Sequence, residues 1–498
     1  MFKEKQAMKQ LSLMLILTIL TQIFMLLKNT IVAATFGVSA ELDAFNFASS
    51  ISGFVYSFIG SGISTILIPN LAYKEKQKAI NVFITILYTF ALAVFFIMLI
   101  FREDLIILLS GSNDNSFIKI SSNIFIATLI AGFLNSLLGL VNGVLQFHGK
   151  FNRLKLVTLF TSILLFFILF FGTNMNIYYY AIAILITTLL NITIHLFLLI
   201  RSQFKYKICF DINDKDFKKL IVLFFPIVFS EGVYQISLII DTMIASRLGI
   251  GQVSILNYSN TVIGMLNVLF LANITAFLYP KLINESKDNY SQGKLINYIV
   301  LINTIMCLLV ALFVVLGKEG VSILYERGKF TTEDTKIVYF CALIYIMSLP
   351  TNGIRDLIYK YFYINNDTYT PFKNSILISL LNILISILLS LYIGIYGVIL
   401  GTVIASYLSL AFIIIRFKKK FGFNFDFINI LIENVKVVII TVITVLLSSF
   451  IKNLFEISNL FLTITIYASI TLLLYTLLLY LSKNRFLSLN KKSKGLNL

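Results

Sequence analysis

The sequence predicts an all-α polytopic membrane protein of about fourteen transmembrane helices, arranged as two six-helix lobes related by a parallel repeat plus a C-terminal helix pair. Three observations predict it. The chain is 58% hydrophobic and 13% charged, with a mean hydropathy of +0.92, which no soluble chain of 498 residues approaches. Apolar stretches of roughly 20 residues, the length that a bilayer demands, recur from end to end. Most of the 40 lysines and arginines fall in every second inter-helix segment and in the two tails, as an even number of crossings requires.

The stretches run over 10–36, 44–72, 79–101, 118–145, 156–174, 177–200, 217–248, 253–280, 293–317, 335–361, 372–394, 395–416, 431–451 and 459–482. Segments on the basic side carry Lys3, Lys5 and Lys9, then Lys74, Lys76 and Lys78, then Lys150, Arg153 and Lys155, and so on to Lys418–Lys420 and the tail Lys491, Lys492 and Lys494. Both termini are therefore expected in the cytoplasm. Outer segments are poor in basic residues except between Lys318 and Lys336, where Glu319, Glu326, Glu333 and Asp334 offset them. The net charge of +17 reads as topology and affinity for an anionic leaflet of the phospholipid bilayer. Nucleic acid is not an expected partner, because no basic soluble module exists to bind it.

The longest inside segment, Arg201 to Lys219, separates the halves, so the expected organisation is an N-lobe over 1–204, a C-lobe over 205–420, and the helix pair with a basic tail over 421–498. The halves echo each other. Thr30 to Gly37 (Thr-Ile-Val-Ala-Ala-Thr-Phe-Gly) returns as Thr242 to Gly249 (Thr-Met-Ile-Ala-Ser-Arg-Leu-Gly), and Leu67–Leu71 returns as Leu278–Leu282 with Pro69 matched by Pro280. Six helices per copy start both copies on the same side, hence a parallel repeat about an axis along the membrane normal.

Charged side chains are costly inside a bilayer, so those that occur there mark a cavity or interhelical pairing. They are few. Lys28 and Asn29 lie in the first helix with Gln22, Asp43 opens the second, Glu231 and Asp241 lie in the seventh, and Arg355, Asp356 and Lys360 cluster late in the tenth. Glu231, Tyr234, Gln235, Leu238 and Thr242 follow the three-four spacing of one helical face, a polar stripe aimed inward. Lys28 has no carboxylate within a helical turn, so it calls for an external anion such as a diphosphate. Asp241, Ser386 and Thr402 fall at similar depth in the seventh, eleventh and twelfth helices; hard oxygens of that kind suit a small cation, and coupling to Na+ or to the membrane potential is an expectation.

Other signals are structural. Cys209, Cys307 and Cys341 have no metal-ligand spacing and read as packing residues, and no cofactor is implied. His195 reads as a satisfied interior histidine. With no Trp in the chain, Tyr178, Tyr179 and Tyr180 are expected in the interfacial belt. Pro69, Pro226, Pro280 and Pro350 are candidate bends within helices. No nucleotide-binding motif is present, so ATP is not the expected direct drive. A membrane glycan polymerase would place carboxylates on sizeable loops, whereas Glu103, Asp104 and Asp114 sit in short polar turns, so an enzyme is not expected. A multidrug antiporter for cationic drugs would need an acidic cavity, against which Lys28, Arg355 and Lys360 argue.

Four segments carry a resemblance to a known family: Gly37–Phe45 (Gly-Val-Ser-Ala-Glu-Leu-Asp-Ala-Phe), Gln235–Ser246 (Gln-Ile-Ser-Leu-Ile-Ile-Asp-Thr-Met-Ile-Ala-Ser), Tyr325–Thr335 (Tyr-Glu-Arg-Gly-Lys-Phe-Thr-Thr-Glu-Asp-Thr) and Asp367–Pro371. Together they make the chain similar to the lipid II flippase (MurJ/MviN) family. The resemblance implies a cationic V-shaped cavity between two lobes, a groove in the final helix pair for a polyprenyl tail, and a place in the bacterial cytoplasmic membrane. It implies a flippase for an undecaprenyl-diphosphate-linked saccharide, lipid II first and another surface-glycan precursor second, with cell-wall or polysaccharide synthesis proteins as partners. It places Lys28 where a family arginine meets the diphosphate, Asp43 at an acidic position, and Lys360 at a position often basic. The chain departs from the family at Gln22, Asn29, Tyr56, Ser57, Ser61 and Leu301, where charged residues are usual.

Overall fold

The structure, a computed structural model, describes residues 2–71, 74–112, 114–173, 175–202, 204–275, 278, 282, 291–365, 367–422, 427–455, 457 and 459–482. Pro280, the tail lysines, and the side chains of Lys3, Lys5, Lys9, Ser61, Pro69, Pro226, Glu231 and Tyr234 lie outside that description. Among the described residues every regular element is helical. They are α1 (Phe2–Phe36), α2 (Ala40–Asn70), α3 (Gln77–Ile100), α4 (Arg102–Ser110), α5 (Asn115–Phe147), α6 (Phe151–Phe170), α7 (Ile177–Ile200), α8 (Lys215–Leu248), α9 (Gln252–Leu266), α10 (Ser291–Tyr325), α11 (Thr332–Ile346), α12 (Leu349–Ile364), α13 (Tyr369–Ile393), α14 (Ile395–Phe421), α15 (Phe427–Leu454) and α16 (Leu460–Leu481). Among the described residues thirteen stretches, with α11 and α12 counted as one, are long and apolar enough to cross a membrane. The 34-residue α8 occupies the place of the expected seventh crossing. The protein is an all-α, multi-pass membrane protein.

Three features depart from the expected pattern. The acidic outer turn holding Glu103 and Asp104 is a short helix, α4, closed by Gly111 in the left-handed region and capped on its last carbonyl by a neighbouring helix. The expected crossing at 335–361 is two helices meeting at Met347–Ser348, because Pro350 has no amide hydrogen to donate and its ring would crowd the carbonyl of Ile346. Asn267–Ala272, which continues α9, winds as a π-helix, a register change that no residue in the segment announces.

The chain divides into two compact units, Met1–Ser254 with Arg327–Phe330, and Ile255–Glu326 with Thr331–Leu498. The division falls beyond the expected lobe junction at 204/205 because α8 packs along α2 and α3. The core of unit 1 is the seam between α2 and α5. A Cβ at Gly139 would stand 2.1 Å from the Gly60 carbonyl oxygen, so the two backbones meet where only glycine fits. Tyr56 fills the seam further along, 2% exposed and edge-on to Phe133. α1 lies on α6, and α7 lies on α5 and α6. In unit 2, α10 is the hub against which α11, α12, α15 and α16 pack, while α13 and α14 form a tight hairpin.

Candidate functional site

Unit 1 contributes one intramembrane cation of particular interest. The Lys28 Nζ lies 3.2 Å from the Tyr180 hydroxyl and 5.7 Å from the centre of that ring. Among the described residues it meets no carboxylate. Tyr180 is 4% exposed and also packs on Phe36 and Phe45, so it positions the lysine and does not join the belt expected for it. Tyr178 is exposed, and Tyr179 donates to the Ile168 carbonyl. Asn29 and Gln22 are half-buried on α1.

Asp43 plays a different part from the substrate contact expected of it. It is 3% exposed, and its carboxylate accepts from the Gly251 amide at 2.5 Å and from the Ser254 amide and hydroxyl at 2.7 and 2.6 Å. A carboxylate on the first amides of a helix satisfies donors that have no partner of their own and sits at the positive end of the helix dipole. Asp43 thus ties α2 to the start of α9. Nearby, the α1–α2 turn needs a left-handed residue, Gly37 at φ +60°, and the Lys329 amide donates to the Ala34 carbonyl beside it. Gly249, its counterpart in the echoed segment, also has positive φ. At α4, Arg247 and Ser246 both donate to the Ser110 carbonyl. On α8, Gln235 is half-buried and Asp241 buried at 2% exposure, while Glu231 lies outside the described side chains.

Unit 2 contributes one face of α12. Leu357, Ile358, Tyr361 and Phe362 are buried, whereas Asn352, Arg355, Asp356, Tyr359 and Lys360 are half-buried along the opposite side. Arg355 reaches Asp356 at only 3.5 Å and lies 5.7 Å from the Tyr359 ring, leaving its Nε buried without a hydrogen-bond partner among the described residues. Tyr359 is fixed in turn by Asn374, which donates to its hydroxyl and to Ser409. Next to Ile354, a groove of about 550 Å³ opens between α15 and the wall formed by α10, α12 and α14, lined by Val310, Pro350, Tyr407, Val435, Val438 and Val442 among others.

Ser386 and Thr402, two of the three residues expected to suit a small cation, meet at one side chain. Ser386 donates to the Asn382 side-chain oxygen at 3.0 Å and to the Val398 carbonyl at 3.1 Å, and Thr402 approaches the same Asn382 oxygen at 3.4 Å. These are neutral hard oxygens of the kind that a small cation accepts. The acidic member of the trio, Asp241, belongs to unit 1. Sequence reasoning passed over Asn382 and Tyr180; an amide one turn from Ser386 was the available signal for the first.

Comparison with known proteins then gives the family. The description "Lipid II flippase MurJ" matches residues 32–466. The chain belongs to the lipid II flippase MurJ family. A probable lipid II flippase MurJ of Rickettsia prowazekii is 26% identical over 382 residues, covering 74% of this chain and 75% of that one. A solved structure of lipid II flippase MurJ, in an inward closed conformation, superposes with a TM-score of 0.79 at 24% identity over 94% of this chain and 97% of that one. An inward-facing multidrug resistance MATE transporter of the MOP superfamily gives 0.63 at 14% identity over 80% and 95%. Both structures share the fold.

Within the MurJ family, the departures expected from the sequence acquire a place. Tyr56 is sealed inside the α2–α5 seam, and Ser57 is exposed and donates to the Phe54 carbonyl. Neither residue carries a charge. His195 is buried with Nδ1 2.8 Å from the Asn191 carbonyl, a satisfied interior histidine. Cys307 and Cys341 are buried, and all three cysteines are free.

Proposed function

We propose that this protein is a flippase that carries a polyprenyl-diphosphate-linked saccharide, lipid II first among them, from the inner to the outer leaflet of the bacterial cytoplasmic membrane by alternating access, with both termini in the cytoplasm. The observation that carries the reading is the match to the MurJ family over residues 32–466. The geometry supports it through Lys28 and Arg355, each taken by itself: among the described residues Lys28 meets a phenol and no carboxylate, and the buried Nε of Arg355 has no hydrogen-bond partner. Charge-assisted hydrogen bonds to a diphosphate satisfy such groups. The apolar groove along α15, from Leu431 to Leu446, runs about 22 Å at 1.5 Å per residue, room for several isoprene units.

The drive we assign is electrical and ionic rather than catalytic. A head group with two negative charges leaving an inside-negative cell gains roughly 4–5 kcal/mol per 100 mV if the charge crosses the whole field. The oxygens of Asn382, Ser386, Val398 and Thr402 are the set we assign to a coupling Na+, and Asp241 of unit 1 is a separate candidate for coupling. Cell-wall synthesis proteins are the partners this role implies. A relative that moves another undecaprenyl-linked glycan is the second reading, favoured by Tyr56 occupying packing space where the family carries charge.

The test is rescue of a bacterium depleted of its own lipid II flippase, scored as lipid II reaching the outer leaflet. Wild type is expected to restore flipping and Lys28→Ala to lose most of it with unchanged folding. Membrane-inserted wild type that restores nothing would move the assignment to another lipid-linked glycan.

A further inference from the structure

Between α7 and α8 the chain crosses the first turns of α3. Gln77 donates to the Lys205 carbonyl at 2.9 Å, the Tyr206 and Thr85 hydroxyls are 2.8 Å apart, the Cys209 amide donates to Thr85 at 3.2 Å, and Lys78 pairs with Asp211 at 2.6 Å. Along this segment Ile208, Phe210 and Ile212 are 73%, 60% and 61% exposed.

Three large apolar side chains held out from the protein need a covering, and their surroundings say which. From Gln77 to Thr85 is roughly 12 Å along α3, just beyond the roughly 5–10 Å over which interfacial apolar groups enter the acyl boundary. Backbone at that depth must find partners within the protein, as the Cys209 amide does in Thr85. On α8, Val222, Leu223 and Phe225 are each more than half exposed. Lys205, Lys207 and Lys218 are exposed in the same stretch of chain. Exposed apolar side chains interspersed with lysines, leading into a crossing helix, match an anionic leaflet in both chemistry and charge.

We propose that residues 205–212 form a membrane-anchored strap: Ile208, Phe210 and Ile212 insert into the leaflet at that end of α3, and Lys205, Lys207 and Lys218 hold anionic lipid head groups. The linker between the two halves is then tied to the bilayer through unit 1. The anchoring is independent of which substrate the protein carries.

The chain contains no Trp, so Phe210→Trp is a single reporter in the full-length protein. In nanodiscs of phosphatidylcholine with phosphatidylglycerol, its emission is expected to be blue-shifted and mostly quenched by brominated acyl chains, whereas Glu333→Trp in an exposed outer turn stays water-like and unquenched. Water-like, unquenched emission from Phe210→Trp would overturn the proposal. Thermal unfolding tests the charge part. Raising the phosphatidylglycerol fraction is expected to raise the midpoint of wild type and to lose most of that effect in the K205Q/K207Q/K218Q variant. An equal response in both would remove the lysines from the assignment.

Discussion

The α2–α5 seam of unit 1 and the α10–α15 contact of unit 2 join helices of similar apolar composition, yet one is closed to the backbone and the other leaves a groove of about 550 Å³. The difference lies in side-chain size. Gly60, Gly132, Gly139 and Gly143 let α2 and α5 touch, while Val435, Val438 and Val442 hold α15 away from its neighbours along the groove. The seam needs no polar lock. The α10–α15 contact has one: Lys452 pairs with Glu319 at 2.7 Å and donates to the Val315 carbonyl, and Tyr467 of α16 packs against Val315 and Leu316. In a bilayer, where lipid tails are as apolar as the helices, close packing or a polar bond must supply the association that the hydrophobic effect supplies in water.

The largest expected effect breaks the seam. Gly139→Leu should not yield folded protein, and Gly139→Ala should lower stability by about 1–3 kcal/mol through overpacking, read as a fall in the thermal midpoint in detergent. Gly53→Ala is the contrast, since nothing lies within 4 Å of its Cβ position. It should be neutral or stabilising, by up to about 1 kcal/mol. If both alanines behave alike, backbone contact is not what closes the seam.

The lock comes next. Lys452→Met leaves the Glu319 carboxylate half-buried without its cation and should cost about 1–3 kcal/mol, less than the penalty of a fully buried pair because both side chains keep some exposure. The double variant Lys452→Met/Glu319→Gln should recover most of that loss; a double variant as unstable as the single would show that packing, not charge, holds α15. A smaller effect on stability but a selective one on function is expected of Val442→Trp at the groove. Its midpoint should be unchanged, while long-chain prenyl diphosphates bind more weakly and short-chain analogues as before. Equal weakening of both would take the tail out of the groove.

The smallest effect concerns the turn before α13. Burial raises the Asp367 carboxyl, but donation from Lys420 at 2.5 Å and from Thr370 outweighs it and holds the group at about 2. A depressed carboxylate stabilises the fold fully above its ordinary value of 3.8 and loses that contribution as pH falls towards 2. Asp367→Asn should therefore lower the midpoint at pH 6 and converge with wild type only as pH falls below about 2. A difference that persists there would assign the effect to shape rather than charge.

Much of the fold was legible because a bilayer imposes one strong rule on every crossing: about 20 apolar residues with backbone bonds satisfied inside the helix. The break before Pro350 was misjudged in kind, since a missing donor marks the place of a disruption but not whether the helix bends or stops. The candidate site was legible as residue types, not as partners. Lys28 stood out because a charge is costly there, whereas Tyr180, 152 positions away, looked like one more interfacial tyrosine until α1 and α7 brought the two together. Asp43 looked like a cavity carboxylate for the same reason; only the fold showed that amides 208 and 211 positions later already occupy it.

What the sequence determined by itself was therefore the membrane, the run of apolar helices and the few residues too polar to lie against lipid, because transfer cost acts on each residue alone. Tertiary structure decided which of those polar groups are satisfied by a neighbour, as Asp43 is by α9, and which keep a donor that is unfilled among the described residues, as Arg355 does. It also decided where helices touch and where they leave a groove, as close approach depends on two surfaces meeting and neither helix carries that information alone.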